Sequence, residues 1–163
     1  MSLADKPRDK APARPVSKQH LRLWIRLLRA ARAIEAELRD RLRTEFAVTL
    51  PQFDVMAALV RKDDGMSMTD LSRMLMVSNG NVTGIIDRLA AEKLVLRQAP
   101  ATDRRSYIVR LTPKGQAQFA LMAKAHEGWV DELLGGIAAE DAEAIIGQLD
   151  GLASRVREGG KRS

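Results

Sequence analysis

The residues of this chain best equipped for chemistry are a run of small polar side chains and a set of arginines downstream of them. Between positions 78 and 88, Ser78 is followed by Asn79, Asn81 and Thr83, which fall with Gly80 and Gly84 on one helical face that closes with Asp87 and Arg88. Amide and hydroxyl side chains can hydrogen-bond base edges, and arginines can neutralise phosphates. The face has no Glu or Lys, the residues that usually support a solvated helix. Its two glycines each cost about 0.5–1 kcal/mol of helix stability relative to alanine, and close approach to another surface would compensate. A loosely made surface helix is the bland alternative.

The arginines continue into a β-rich stretch. Runs at 95–99 and 106–111 are joined by Pro100-Ala101-Thr102-Asp103-Arg104-Arg105, a hairpin-like connection with a basic tip. Arg105, and secondarily Arg104, suits a minor groove, with Asp103 orienting the guanidinium by a charge-assisted bond. Arg88, Arg97 and Arg110 suit phosphates. Other chemistry finds no support. His20 and His126 are the only histidines, there is no cysteine, and the carboxylates are scattered, so no metal-ligand spacing occurs. No phosphate loop, nucleophile elbow or paired-carboxylate arrangement is present, and no cofactor is implied. The expectation is a protein that is not an enzyme.

These residues need elements to hold them. Ser67 and Asp70 have capping-box spacing ahead of Leu71, Met74 and Leu75, and Ser78 is an N-cap for a second helix. Val82, Ile85, Ile86 and Leu89 form that second helix's apolar stripe, opposite the polar face. A helix, a tight turn, a second helix and a basic hairpin make a winged helix-turn-helix, assigned to residues 49–113. A preceding helix opens at Leu50-Pro51 and ends at Asp63-Asp64-Gly65.

Long helices flank this unit. Leu21, Trp24, Leu28, Ala31, Leu38 and Leu42 mark one from 17 to about 47, with Arg22, Arg26, Arg29 and Arg32 as a second, basic stripe. That basic stripe reads equally as a solvated face or as an anion site. Thr112 caps another helix with Pro113 at its first position, and 139–157 forms a last amphipathic one. Segments 17–48 and 114–158 carry more apolar surface than the small winged unit needs, which predicts a helical dimerisation region, with a monomeric bundle as the alternative. The fold class is mainly α with a small β-wing. Residues 1–16 form a basic tail without periodicity, expected to be disordered, and 159–163 a frayed end.

Composition agrees. Residues 1–48 hold twelve basic and six acidic side chains, 49–112 nine and seven, and 113–163 six and eight, within a net charge of +6. The basic excess thus lies where phosphates would be met. No apolar run is long enough for a membrane span and no secretory leader is evident, so a cytoplasmic protein is expected.

Several of these motifs together resemble the MarR family of bacterial transcriptional regulators. Asp103-x-Arg105 followed after five residues by Leu111-Thr112 matches its wing signature. Val77-Ser78, Val82-Thr83, Asp87-Arg88-Leu89 and Leu111-Thr112-Pro113-Lys114-Gly115 resemble the same family, and the likeness spans residues 17–157. It implies a homodimer that binds a pseudo-palindromic duplex operator and answers to a small effector. Met76 stands where the family's turn often has Gly, which predicts a slightly different backbone there. Gly84 stands where many members carry a bulky or basic residue, so the operator sequence is not transferable.

His126-Glu127-Gly128-Trp129 and Ser78-Asn79-Gly80-Asn81 look most like the branch controlling hydroxycinnamate and other aromatic-acid degradation. That likeness implies an aromatic effector, in several members the coenzyme A thioester. Trp24, Leu28, Phe53, Met56, His126 and Trp129 are the expected apolar lining, unless they simply fill the core, and Arg22, Arg26, Arg29 or Arg32 would meet the coenzyme's phosphates. A free aromatic acid or phenol is the second reading. A winged-helix module binding protein or RNA is a third, disfavoured by the basic tip and the small polar face.

Overall fold

The computed structural model describes residues 15–99 and 107–159. In order these form α1 (Val16–Phe46), α2 (Leu50–Leu59), β1 (Met66–Ser67), α3 (Met68–Leu75), α4 (Asn79–Ala91), β2 (Val95–Gln98), β3 (Ile108–Leu111), α5 (Pro113–Leu134) and α6 (Ala139–Gly159). The described residues fall into two compact units, divided within α1 between Glu37 and Leu38. The first holds the exposed N-terminal part of α1. The second holds the remaining elements and the whole core.

The core takes up part of the expected apolar stripes, while Leu21, Trp24 and Met74 of those stripes are exposed. Leu42, Val55, Met56, Leu71, Val82, Ile86, Leu89 and Met122 are fully buried. Local side-chain chemistry sets the helix starts. Ser67 Oγ accepts the Asp70 amide at 3.1 Å, while its hydroxyl donates to the Asp70 carboxylate at 2.8 Å. The serine hydroxyl, not the serine amide, therefore takes up the Asp70 side chain, so the pair is a cap without the reciprocal half. A complete capping box occurs instead at Thr49 and Gln52, where the Thr49 amide donates to Gln52 Oε1 at 2.9 Å. Ser78 caps α4 through the Asn81 amide at 3.3 Å, and Thr112 caps α5 through the Gly115 amide at 3.0 Å.

The sheet has three strands where the sequence suggests two. Its order is β1-β3-β2, with Met66 opposite Val109 and Val95 opposite Leu111, both pairings antiparallel. β1 is only two residues long and exists through its pairing with β3, so no local pattern announces it. Gly65 leads into it at φ +79°, and a Cβ there would stand 2.5 Å from the Val109 carbonyl oxygen. Only glycine fits both the left-handed backbone and the contact.

The turn between α3 and α4 keeps a left-handed residue although it lacks glycine. Met76 takes φ 53°, ψ 38°, and the Val77 amide closes back onto the Ser72 carbonyl at 3.2 Å. Methionine thus occupies the conformation a glycine would adopt. A side chain at a left-handed residue is strained. The Met76 side chain is 93% exposed, so it has no packing to offset that strain.

α5 is tied back to α1 within the second unit. Arg41 makes a two-pronged ion pair with Glu132 at 2.7 and 3.3 Å, and Phe46 lies against Trp129 with ring centroids 6.1 Å apart. The arginine holds the Glu132 carboxyl below its ordinary pKa. In contrast, no residue of α6 is buried.

Met76→Gly should stabilise the protein by about 1 kcal/mol, because it relieves a left-handed non-glycine residue and removes only exposed side-chain atoms. Denaturant unfolding measures it, and an unchanged or lower midpoint would refute the strain.

Candidate nucleic-acid interface

α4 presents the predicted polar face to the outside. Val82, Ile86 and Leu89 are fully buried, and Asn79, Gly80, Asn81, Thr83, Gly84, Asp87 and Arg88 are all exposed. A Cβ added at Gly80 or Gly84 would meet no atom within 4 Å. Neither backbone conformation nor internal packing requires glycine at these two positions. Thr83 Oγ1 donates to the Asn79 carbonyl at 2.9 Å, which leaves the hydroxyl's lone pairs facing outward as acceptors. Ser78 is occupied as the cap.

The wing strands divide the remaining arginines. Arg97 pairs across the sheet with Val109, and its guanidinium forms an ion pair with Asp87 on the exposed face of α4. The first strand of the wing is thus linked to the helix by charge. The sequence reading did not give Asp87 this role, and a ten-residue separation carries no local signal for it. Arg110 pairs with Leu96 and projects from the opposite face of the sheet, where its Nε donates to the Asp64 carbonyl at 3.0 Å. The structure therefore groups Arg88 and Arg97 with the polar face and sets Arg110 apart from it. Asp103, Arg104 and Arg105 lie outside the described residues.

The residues expected to meet an effector separate similarly. Phe53 stacks on His126 at 4.7 Å between ring centroids and approaches Phe119 at 5.4 Å, all within the second unit. Phe119 joins the cluster from α5. Met56 is fully buried, and Phe53 and Trp129 nearly so, which makes all three core. In the first unit, Trp24 is 59% exposed, Leu28 half-buried, and Arg22, Arg26, Arg29 and Arg32 are exposed. Among the described residues no His, Cys, Asp or Glu cluster could hold a metal ion, and no helix is long and apolar enough to cross a membrane.

A helix-turn-helix whose second helix turns a small polar face outward, followed by two strands that complete a three-stranded sheet, defines a winged helix-turn-helix DNA-binding protein. Comparison with known proteins narrows the class. A model of the MarR family matches residues 48–106. The transcriptional activatory protein BadR of Rhodopseudomonas palustris is 34% identical over 74% of this chain and 70% of its own. A MarR family transcriptional regulator from Silicibacter pomeroyi superposes with a TM-score of 0.74 at 31% identity, over 88% of this chain and 99% of that one. BpsR of Bordetella bronchiseptica, whose DNA binding is regulated by 6-hydroxynicotinic acid, superposes at 0.71 with 27% identity, over 81% and 98%. The chain belongs to the MarR family, and is a DNA-binding transcriptional regulator rather than an enzyme.

His126 gives the aromatic cluster a pH signature. Burial lowers its pKa below the ordinary value, and the Asp54 carboxylate partly opposes this. The folded chain therefore binds fewer protons at this site than the unfolded one. The stability this confers is complete above the unfolded pKa of about 6.5 and is lost as pH falls through the lower folded value. Denaturant midpoints should fall between pH 7 and pH 5, and should fall less in His126→Phe. Equal falls in both proteins would exclude His126 as the source.

Proposed function

We propose that the protein is a homodimeric repressor that holds a pseudo-palindromic operator and releases it when an aromatic acyl effector binds. One observation carries the DNA part: α4 spends helix stability on two glycines that face open space, inside a fully exposed polar face. In this reading each α4 enters a major groove, where a surface without side-chain bulk lets the helix backbone approach the base edges. Asn79, Asn81 and Thr83 contact bases or nearby phosphates, and Arg88 and Arg97 contact phosphates. The wing tip, with Arg105, Arg104 and the orienting Asp103, enters the neighbouring minor groove.

The dimer is inferred from α6. Ile145, Ile146, Leu149, Leu152 and Val156 are each at least 42% exposed, along a helix with no buried residue. Such a stripe is unfavourable in water and favours burial against a second copy. Half-sites one helical turn apart are separated by about 34–36 Å, so a shift of a few ångströms between copies misaligns one recognition helix and supplies the release.

For the effector, an aromatic acyl thioester of coenzyme A, the ring of His126 stacked on the buried Phe53 supplies flat surface for the acyl group. A free aromatic acid is the second reading. It is favoured by the likeness to BpsR, since 6-hydroxynicotinic acid is an aromatic acid.

Arg105→Ala should weaken operator binding by about 1–3 kcal/mol. Gly84→Ala should raise stability by about 0.5–1 kcal/mol yet lower operator affinity. Wild-type affinity in both variants would remove the groove assignment. Leu149→Glu should lose the dimer and the operator complex together, and a dimer that persists in sedimentation places the interface elsewhere. Calorimetry with p-coumaroyl thioester, p-coumaric acid and coenzyme A alone tests the effector. Tight binding of the free acid but not the thioester would reverse the two readings.

A further inference from the structure

A cavity of about 340 Å³ lies on the sheet face that turns away from α4. Leu59 and Val60 from the end of α2, Leu96 from β2 and Pro113 from α5 give it aliphatic walls, and no aromatic ring is among its lining residues. Val60 and Leu96 are each 41% exposed there, an apolar floor left open to water. Lys62, Asp63, Arg110, Leu111 and Gln116 complete its lining.

Among the described residues neither Lys62 nor Arg110 has an ion-pair partner, and Asp63 has none either. The Arg110 Nε is fixed by the Asp64 carbonyl, which holds the guanidinium in place and leaves its terminal nitrogens without an acceptor. An anchored guanidinium is a prepared anion site, because little side-chain freedom remains to be lost on binding. Two cations against one carboxylate leave a single positive charge. The balance fits a monoanion and argues against a phosphate dianion. The volume sits at the lower end of the range of about 300–1,000 Å³ typical of small-molecule pockets, so the apolar part must be compact.

We propose that this cavity binds a short aliphatic monocarboxylate, its carboxylate between Lys62 and Arg110 and its alkyl body on Val60 and Leu96. The site is separate from the Phe53–His126 stack and does not depend on the operator reading. A ligand here would touch both wing strands and the end of α2 at once.

The test is a titration of the full chain, methyl-labelled at Leu and Val, followed by NMR. Hexanoate should give saturable shifts at the Leu59, Val60 and Leu96 methyls, whereas neutral hexanamide and inorganic phosphate should not. Lys62→Gln and Arg110→Gln should each weaken hexanoate at least tenfold. Arg110→Gln also removes the link to Asp64, so Lys62→Gln, on an exposed turn, decides the matter if the first variant is poorly folded. Shifts confined to residues around Phe53 and His126, equal binding of hexanamide, or wild-type affinity in Lys62→Gln would each overturn the site.

Discussion

The wing, the recognition helix and the long helix behind them converge on Leu94. Its amide donates to the Leu89 carbonyl at 2.9 Å and so closes α4, after Lys93 has turned through a left-handed conformation. Its carbonyl accepts the Thr112 amide at 3.0 Å and lies 3.2 Å from the Thr112 hydroxyl, which also donates to the Lys93 carbonyl at 2.7 Å. One turn into α5, Gly115 comes so near that an added Cβ would stand 2.0 Å from the same Leu94 oxygen. The end of α4, the start of β2, the end of β3 and the start of α5 are thus fixed against one peptide unit. No side chain larger than hydrogen is compatible with that closeness at position 115.

This junction explains how a helix with weak intrinsic propensity can present a defined surface. α4 is anchored at its C-terminal end by the turn into Leu94, at its N-terminal end by the Ser78 cap, and along its inner side by Val82, Ile86 and Leu89. Tertiary packing supplies the order that Gly80 and Gly84 take away. Apart from Asp87, which is paired with Arg97, and Thr83, which bonds the Asn79 carbonyl, the outer residues are then free of structural duty. α6 is the opposite case: good periodicity and a continuous apolar stripe, with nothing buried beneath it. α4 is held from within, whereas the apolar stripe of α6 is exposed in the single chain.

Much of this was legible in the sequence because it is written locally. The caps at Ser67, Ser78 and Thr112 involve groups three residues apart, and the inner and outer faces of α4 follow from the helical repeat. What escaped is non-local. β1 depends on a partner more than forty residues away; the capping box at Thr49 and Gln52 is the exception, a local signal masked by the adjacent Pro51. Met76 shows a further limit, since a left-handed turn can be imposed on a side chain that does not favour it. The arginines were separable only once the register was known. Arg97 lies opposite Val109 and Arg110 opposite Leu96, so two residues of one type in one hairpin face opposite sides of the sheet. Within the aromatic cluster the sequence named Phe53 and His126, and the packing added Phe119.

The link between Asp87 and Arg97 has a consequence for how binding would respond to ionic strength. Each phosphate a protein neutralises displaces a condensed counterion, and adds about 0.9 to the steepness with which log affinity falls against log salt. Arg97 already has an anion beside it, and Asp87 stands on the same exposed face. As a unit the two are neutral. A guanidinium shared between a fixed carboxylate and a phosphate displaces less than one full counterion. On the proposed contacts it would shape the fit to the duplex backbone more than strengthen the attraction, and would leave the ionic part of the affinity to cations such as Arg88, which has no such partner among the described residues.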